Sequence, residues 1–219
     1  MKENQLRTVL AELAKTVDTA TMYDAISSVY DELYEEENDL KENSQIGAVL
    51  RHVRGQKILD IGCGSGLLLR MLNLAPRDYL GIDISKGMIN KAKHNYPHHI
   101  FLQDNLVHLS TVNLNSIDYA ISLFECYNYI KDPAEIATAI RNLHLRLKKD
   151  GKIFIMLLTP DHPAKNGNHV IWPVGKDVLR TFNERQAHQL FQPYFKKLEV
   201  KYFPPASGKN YITVTGVKK

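Results

Sequence analysis

From Lys57 onward, short apolar runs alternate with stretches of helical spacing, and this alternation restricts the fold more than any other feature of the 219-residue chain. "KILDIG" reads as a strand and "GLLLRMLNL" as a helix; "DYLGIDIS" and "KGMINKAKHN" repeat the pair. Pro97 breaks the chain before a third strand, "HIFLQDNL", and "IDYAISLFE" is a fourth. "DPAEIATAIRNLHLRLKK" reads as a helix with Pro133 in its first turn, where a missing N–H costs nothing. Asp150-Gly151 is expected to turn the chain into a fifth strand, "KIFIMLLT". Strands joined by helices of this length cross over right-handed and form a parallel sheet with helices on both faces. The tail differs. After the helix "NERQAHQLFQPYF", with Asn183 as its cap, "KKLEVKYF" and "NYITVTGVKK" lie too close together for a helical crossover and should pair antiparallel. The expected architecture is α/β, a seven-stranded, mostly parallel sheet with a C-terminal antiparallel hairpin.

Residues 1–54 contain no strand-like run and read as a helical lid or cap; residues 55–219 form the main domain. Leu6, Val9, Leu10 and Leu13 fall at helical spacing, "MYDAISSVYDELYEEEN" carries three tyrosines, and another helix runs from about Asp39 to Val53. Residues 160–176, rich in Pro, Gly and Asn, read as an irregular insertion over the edge of the sheet. The net charge of +4 comes without long basic blocks, so no nucleic-acid partner is expected. Two cysteines and no CxxC spacing argue against a disulfide framework, and the amphipathic start lacks the apolar core of a signal peptide. No apolar stretch reaches membrane-spanning length, so the expected setting is cytoplasmic, as a monomer or homodimer.

Open α/β sheets bind ligands at the carboxyl ends of their strands, and "DIGCGSG" occupies that place after the first strand. Glycines there can serve a tight strand-to-helix turn or the close approach of a ligand to the backbone. The spacing Gly62-x-Gly64-x-Gly66, with Leu67 where a dinucleotide fingerprint needs its third glycine, departs from the pyrophosphate-binding pattern. No Gly-Lys-Ser/Thr follows, which excludes a P-loop. Asp60, just inside the loop, repels a phosphate but can accept from an ammonium. Asp83 closes the second strand about 20 residues on, where an acid hydrogen-bonds a ribose diol; its other reading is support of the next helix's N-terminus. Ser85 is the better cap for that helix. Asp104 ends the third strand, where a carboxylate can accept from an adenine amino group.

This constellation resembles the class I S-adenosylmethionine-dependent methyltransferases of small-molecule type, closely over Lys57 to about Thr159 and loosely over the hairpin. The resemblance implies a Rossmann-like sheet and S-adenosyl-L-methionine as cofactor. It implies that Gly62, Cys63, Gly64 and Gly66 line the cofactor's amino-acid moiety and that Asp83 takes its ribose hydroxyls. Ile84 and Met88 would face the adenine, Asp104 and the Asn105 backbone would contact its amino group, and Leu123 would run beside the methionine part. "MYDAISSVYDELY" is similar to a "YD…YD" pattern in the helical lids of such enzymes, which implies Tyr23 and Tyr30 over the carboxylate and sulfonium. Plain amphipathic packing of Tyr23, Ile26 and Tyr30 is the other reading of the same spacing.

Methyl transfer asks mainly for alignment and exclusion of water, and a hydroxyl acceptor also asks for a base. The loop after the fourth strand, "LFECYNYIKD", offers Glu125 to hold or deprotonate an acceptor and Tyr129 to face it. His162, His169 and Trp172 in the insertion are candidates for substrate selection, whereas His98-His99 are expected on the far surface. No metal is expected. The expected activity is methylation of an amine or hydroxyl on a small molecule. The rivals are an RNA or protein methyltransferase, a non-catalytic S-adenosylmethionine-binding protein, and, against the glycine spacing, a nicotinamide-dependent oxidoreductase.

Overall fold

The computed structural model describes residues 18–34, 37–160, 179–203 and 210–219. Seven strands form one sheet: β1 (Ile58–Ile61), β2 (Tyr79–Asp83), β3 (Ile100–Gln103), β4 (Ile117–Ser122), β5 (Leu147–Leu158), β6 (Phe195–Phe203) and β7 (Tyr211–Lys218). Their order is β3-β2-β1-β4-β5-β7-β6. The first five are parallel and β7 runs antiparallel to both β5 and β6. The chain winds outward from β1 to β3 and then returns to β1's other side with β4. This reversal opens a crevice at the carboxyl ends of β1 and β4.

The helices among the described residues are α1 (Thr19–Ile26), α2 (Glu37–Leu50), α3 (Leu67–Leu72), α4 (Lys86–Asn95), α5 (Pro133–Arg146) and α6 (Glu184–Phe191). Their starts follow capping chemistry. Ser85 accepts from Met88 N at 3.0 Å, Asp132 accepts from Ala134 N ahead of Pro133, and Asn183 forms a capping box with Gln186. β1 is buried on both faces, as a strand covered by helices on each side must be. Ile58 joins the core built with Ile46, Leu50, Leu68 and Ile89, while Leu59 joins the one built with Ile136, Ile140 and Phe191. Both are fully buried, and a side chain of this size contributes about 1.5–3 kcal/mol on leaving water. No helix among the described residues is long and apolar enough to cross a membrane.

Two local expectations differ from the structure. Asp150-Gly151 does not turn the chain between elements: β5 runs through it, with Asp150 at φ 58 and a shift of register against β4 between Ile117 and Tyr119. Leu147 already pairs with Ile117 ahead of this bulge, and Lys196 Nζ pairs with Asp150 at 2.7 Å from β6. The segment carrying the tyrosines is also not one continuous helix. After α1 the chain turns through residues 27–30 and resumes as a short 3-10 turn at Asp31–Tyr34, with Ser27 Oγ donating to the Asp24 carbonyl at 2.9 Å. The expected helix around Leu6–Leu13 and all but the first residue of the insertion at 160–176, with His162, His169 and Trp172, lie outside the described residues.

Candidate functional site

The glycine turn after β1 sets the floor of the site. Gly62, Gly64 and Gly66 take φ of 72°, 52° and 98°, conformations an L side chain resists. Gly62 N and Cys63 N both donate to the Ile82 carbonyl at 2.9 Å, which ties the turn to the end of β2. Asp83 completes the tie, with Oδ2 accepting from Gly64 N at 3.0 Å and Oδ1 from Ser85 N at 2.9 Å. At the end of β3, Asp104 accepts from Asn105 N and from both the backbone and hydroxyl of Thr111, all at 2.7 Å. Asp104 N in turn donates to the Asp83 carbonyl at 2.9 Å, so the two strand-end acids form a continuous ledge.

A cavity of about 240 Å³ lies over these strand ends. Its wall includes Gly62, Gly64, Asp83, Ile84, Met88, Asp104, Asn105 and Leu123, together with Tyr23, Tyr30, Glu125 and Tyr129. Ile84 is 36% exposed, an apolar side chain open on the cavity side of Asp83. A Cβ on Gly64 would enter the space between the turn and the Tyr30 ring, 3.7 Å from it. That is an ordinary contact distance, so it is the φ of 52° that favours glycine here and leaves bare backbone toward the cavity.

Three expected site residues stand off the wall. Asp60 shares a face of β1 with Ile58, and its buried carboxylate accepts from the Tyr79 hydroxyl at 2.7 Å. The Cys63 side chain is buried, its sulfur 3.0 Å from where a Gly81 Cβ would stand. Gly66 faces the Tyr96 ring, which would sit 2.7 Å from an added Cβ. The pleat and the packing of α4 direct these groups into the core, whereas their neighbours Gly62 and Gly64 face the cavity. His99 also lies away from it, bonded to the Leu74 carbonyl at 2.9 Å.

The roof comes from the N-terminal segment, and its repeated Tyr-Asp pairs divide the work. Both tyrosines line the cavity; both aspartates fasten the segment to the domain, Asp31 from the cavity's edge. Asp24 accepts from Ser85 Oγ at 2.5 Å and from Gly87 N at 2.7 Å. Asp31 accepts from Ser65 Oγ and lies 3.2 Å from Lys91 Nζ. Tyr23 and Tyr30 pack edge to face with centroids 6.1 Å apart, and Tyr23 does the same with Tyr129 at 5.9 Å. The Tyr23 and Tyr129 hydroxyls share a 2.8 Å hydrogen bond.

The loop after β4 supplies the remaining wall. Phe124 holds φ 58, a costly conformation for a bulky residue, and turns the chain sharply so that Leu123 through Cys126 all face inward. Buried Asn128 pins this loop from behind. Its amide accepts from Leu158 N at 3.0 Å and donates to the Leu158 and Arg180 carbonyls. Tyr211, from β7, donates to Glu125 Oε2 at 3.1 Å.

Burial sets the ionisation here. It pushes Asp60 up to about 7, opposed by the Tyr79 hydroxyl, and Asp83 up to about 6, opposed by the N–H groups of Ser85 and Gly64. Burial also raises Tyr23 and Tyr211 well above the usual phenol range, helped by nearby phenols and the Glu125 charge, so both remain hydrogen-bond donors.

Sequence reasoning missed several wall residues. Leu106 and Val107, beyond Asp104, extend the apolar patch around Ile84, and Arg70 stands one turn into α3. Cys126 packs so tightly against Gly62 that a Cβ there would fall 2.3 Å from its sulfur. Their spacing carries no motif; only the alternation that placed the strand ends could have pointed to the residues just beyond them.

Comparison with known proteins bears on this cavity. Residues 30–194 match the family model described as a methyltransferase domain. A ubiquinone biosynthesis O-methyltransferase of Coxiella burnetii is 23% identical over 168 residues, spanning 75% of this chain and 68% of that protein. Among solved structures, a TehB-like SAM-dependent methyltransferase of Corynebacterium glutamicum superposes with a TM-score of 0.64 at 19% identity, covering 91% of this chain and 99% of that one. A SAM-dependent methyltransferase of Thermotoga maritima, described as a possible histamine N-methyltransferase, gives a TM-score of 0.67 at 17% identity, covering 90% and 98%.

Proposed function

The chain belongs to the methyltransferase domain family and is an S-adenosylmethionine-dependent methyltransferase, and from that premise we propose that it methylates an amine or hydroxyl of a small molecule held in the cavity under Tyr23 and Tyr129. The observation that carries this reading is the joining of three strand ends in one cavity, with Gly62 and Gly64, Asp83, and Asp104 along its floor and tyrosines across its roof. The cavity joins the proposed cofactor floor to Glu125 and Tyr129, so an acceptor held by these two would lie beside the cofactor. The named relatives include an O-methyltransferase and a possible N-methyltransferase, which keeps both acceptor atoms in view.

In this reading Gly62 and Gly64 receive the amino-acid end of the cofactor on bare backbone. Asp83 has lone pairs beyond those used by Gly64 N and Ser85 N, and with them it accepts from the ribose diol. Ile84, Met88 and Leu106 cover the adenine faces, and Asp104 with Asn105 meets its amino edge. The bound cofactor supplies an electrophilic methyl on a positively charged sulfur. Tyr23 and Tyr30, on the cavity wall, would offer ring faces to that charge, a contact worth about 0.5–2 kcal/mol where it forms. Asp60, Cys63 and Gly66 act behind the floor: the Asp60–Tyr79 bond stiffens β1 and adds negative potential beneath the ammonium. The helical segment to residue 54 works as a lid over the domain of residues 55–219, its closure excluding water. Glu125 and Tyr129 face the acceptor.

Isothermal titration with S-adenosylmethionine, followed by assay of S-adenosylhomocysteine release across a panel of small amines, phenols and alcohols, tests the proposal. Failure to bind the cofactor, or release only with RNA or protein acceptors, would overturn it.

A further inference from the structure

Glu125 is set apart from the other carboxylates of the cavity by what it meets. Asp31 lies against Lys91, Asp83 accepts two backbone N–H groups, Asp104 accepts from Asn105 and Thr111, and Glu135 is exposed to water in the first turn of α5. Glu125 is met by the Tyr211 phenol at 3.1 Å, which supplies a proton to share but no positive charge. The Tyr211 donation uses one of about four acceptor positions on the carboxylate. Around it stand aromatic rings. Phe124 packs on Tyr211 at 6.1 Å between centroids, and Tyr129 packs on Tyr23 at 5.9 Å. Arg70, on α3, is the cation on the cavity wall among the described residues; it stands on the helix that follows β1, whereas Glu125 belongs to the loop after β4.

A partly enclosed carboxylate among ring faces repels an acidic acceptor. It offers a neutral alcohol no charge interaction and complements an ammonium through both the carboxylate and the rings. Resting on the methyltransferase reading above, we propose that the acceptor is a cationic amine whose nitrogen is held by Glu125 between the rings of Phe124, Tyr23 and Tyr129. The ammonium must lose a proton to become a nucleophile. In that step one N–H bond breaks, its electron pair stays on nitrogen, and the proton goes to a Glu125 oxygen. Tyr211, tied to the same carboxylate, keeps it oriented.

Binding at pH 7.5 tests this without requiring turnover. The protein is first titrated with S-adenosylhomocysteine. The complex is then titrated with matched pairs that differ only in ammonium against hydroxyl: 2-phenylethylamine and 2-phenylethanol, tryptamine and tryptophol, hexylamine and hexanol. At least one amine is expected to bind about tenfold or more tightly than its alcohol. In Glu125→Gln that ratio should fall to about 1, with S-adenosylhomocysteine affinity within about twofold of the parent. Equal affinities in every pair, no binding of any probe, or a ratio that persists in Glu125→Gln overturns the assignment. Failure of the first titration overturns the methyltransferase reading itself, so the two failures are distinguishable.

Discussion

The phenol oxygens of Tyr23 and Tyr129 meet at 2.8 Å across 106 positions of sequence, joining α1 to the loop after β4 over the top of the cavity. A net contribution of about 0.5–1.5 kcal/mol is usual for such a bond. Tyr23→Phe and Tyr129→Phe should each weaken S-adenosylhomocysteine binding several-fold. The double variant should lose little more than the worse single, because both hydroxyls serve one bond. Calorimetric titration of the three variants decides; additive losses would show that the hydroxyls act separately.

The raised Asp60 and Asp83 make binding and stability depend on pH. Both are held above the ordinary 3.8, at about 7 and about 6, so the folded chain keeps these protons more tightly than the unfolded chain. Their contribution to stability is fully present below about pH 4 and is lost as pH rises through 6 to 7. A cationic cofactor favours the ionised carboxylates. Its binding should therefore strengthen from about pH 5.5 to about 7.5 and release protons, measurable by calorimetry in buffers of different ionisation enthalpy. Proton uptake would contradict this account.

Asp83→Ala removes the acceptor for Gly64 N and Ser85 N and the proposed ribose partner. An expected loss of about 1–3 kcal/mol in cofactor affinity follows from leaving such groups unpaired. An unchanged dissociation constant in a folded variant would remove Asp83 from the site.

Two glycines make a matched test. An alanine methyl at Gly62 would fall 2.3 Å from Cys126 Sγ at φ 72, whereas at Gly47, within α2, it would stand 3.6 Å from Met71. Gly47→Ala should stabilise by up to about 1 kcal/mol, since alanine favours a helix over glycine by that much. Gly62→Ala should lower the melting temperature and abolish cofactor binding. Thermal unfolding of both, with equal melting temperatures, would show that the turn relaxes more easily than its geometry implies.

The proposed lid should loosen when one of its two fasteners, Asp24, is cut while Asp31 remains. Asp24→Ala loses the bonds to Ser85 Oγ and Gly87 N. Hydrogen exchange is expected to rise across residues 18–34 while β1, β4 and β5 keep their protection. Uniform loss of protection would instead mark Asp24 as part of the global fold.

The order of strands and helices was legible because each depends on near neighbours. Apolar runs buried on both faces, Ser85 and Asn183 at helix starts, and Pro133 in a first turn are local signals. The floor of the site was legible for the same reason, since Gly62, Gly64, Asp83 and Asp104 are simply the residues at which strands end. The Asp150 bulge escaped this reading because pairing of Leu147 with Ile117 extends β5 backward through a sequence that locally favours a turn.

What the sequence alone determined, then, is the alternation that makes an α/β sheet and the chemistry waiting at its strand ends. Which of those groups face the cavity was decided only by tertiary structure. Asp60 turns to Tyr79, Gly66 faces Tyr96, Glu125 meets Tyr211, and Asn128 holds Leu158. The physical reason is that a side chain's direction follows from the pleat and from what packs against it. Those partners lie far away in sequence, so no spacing within a motif encodes them.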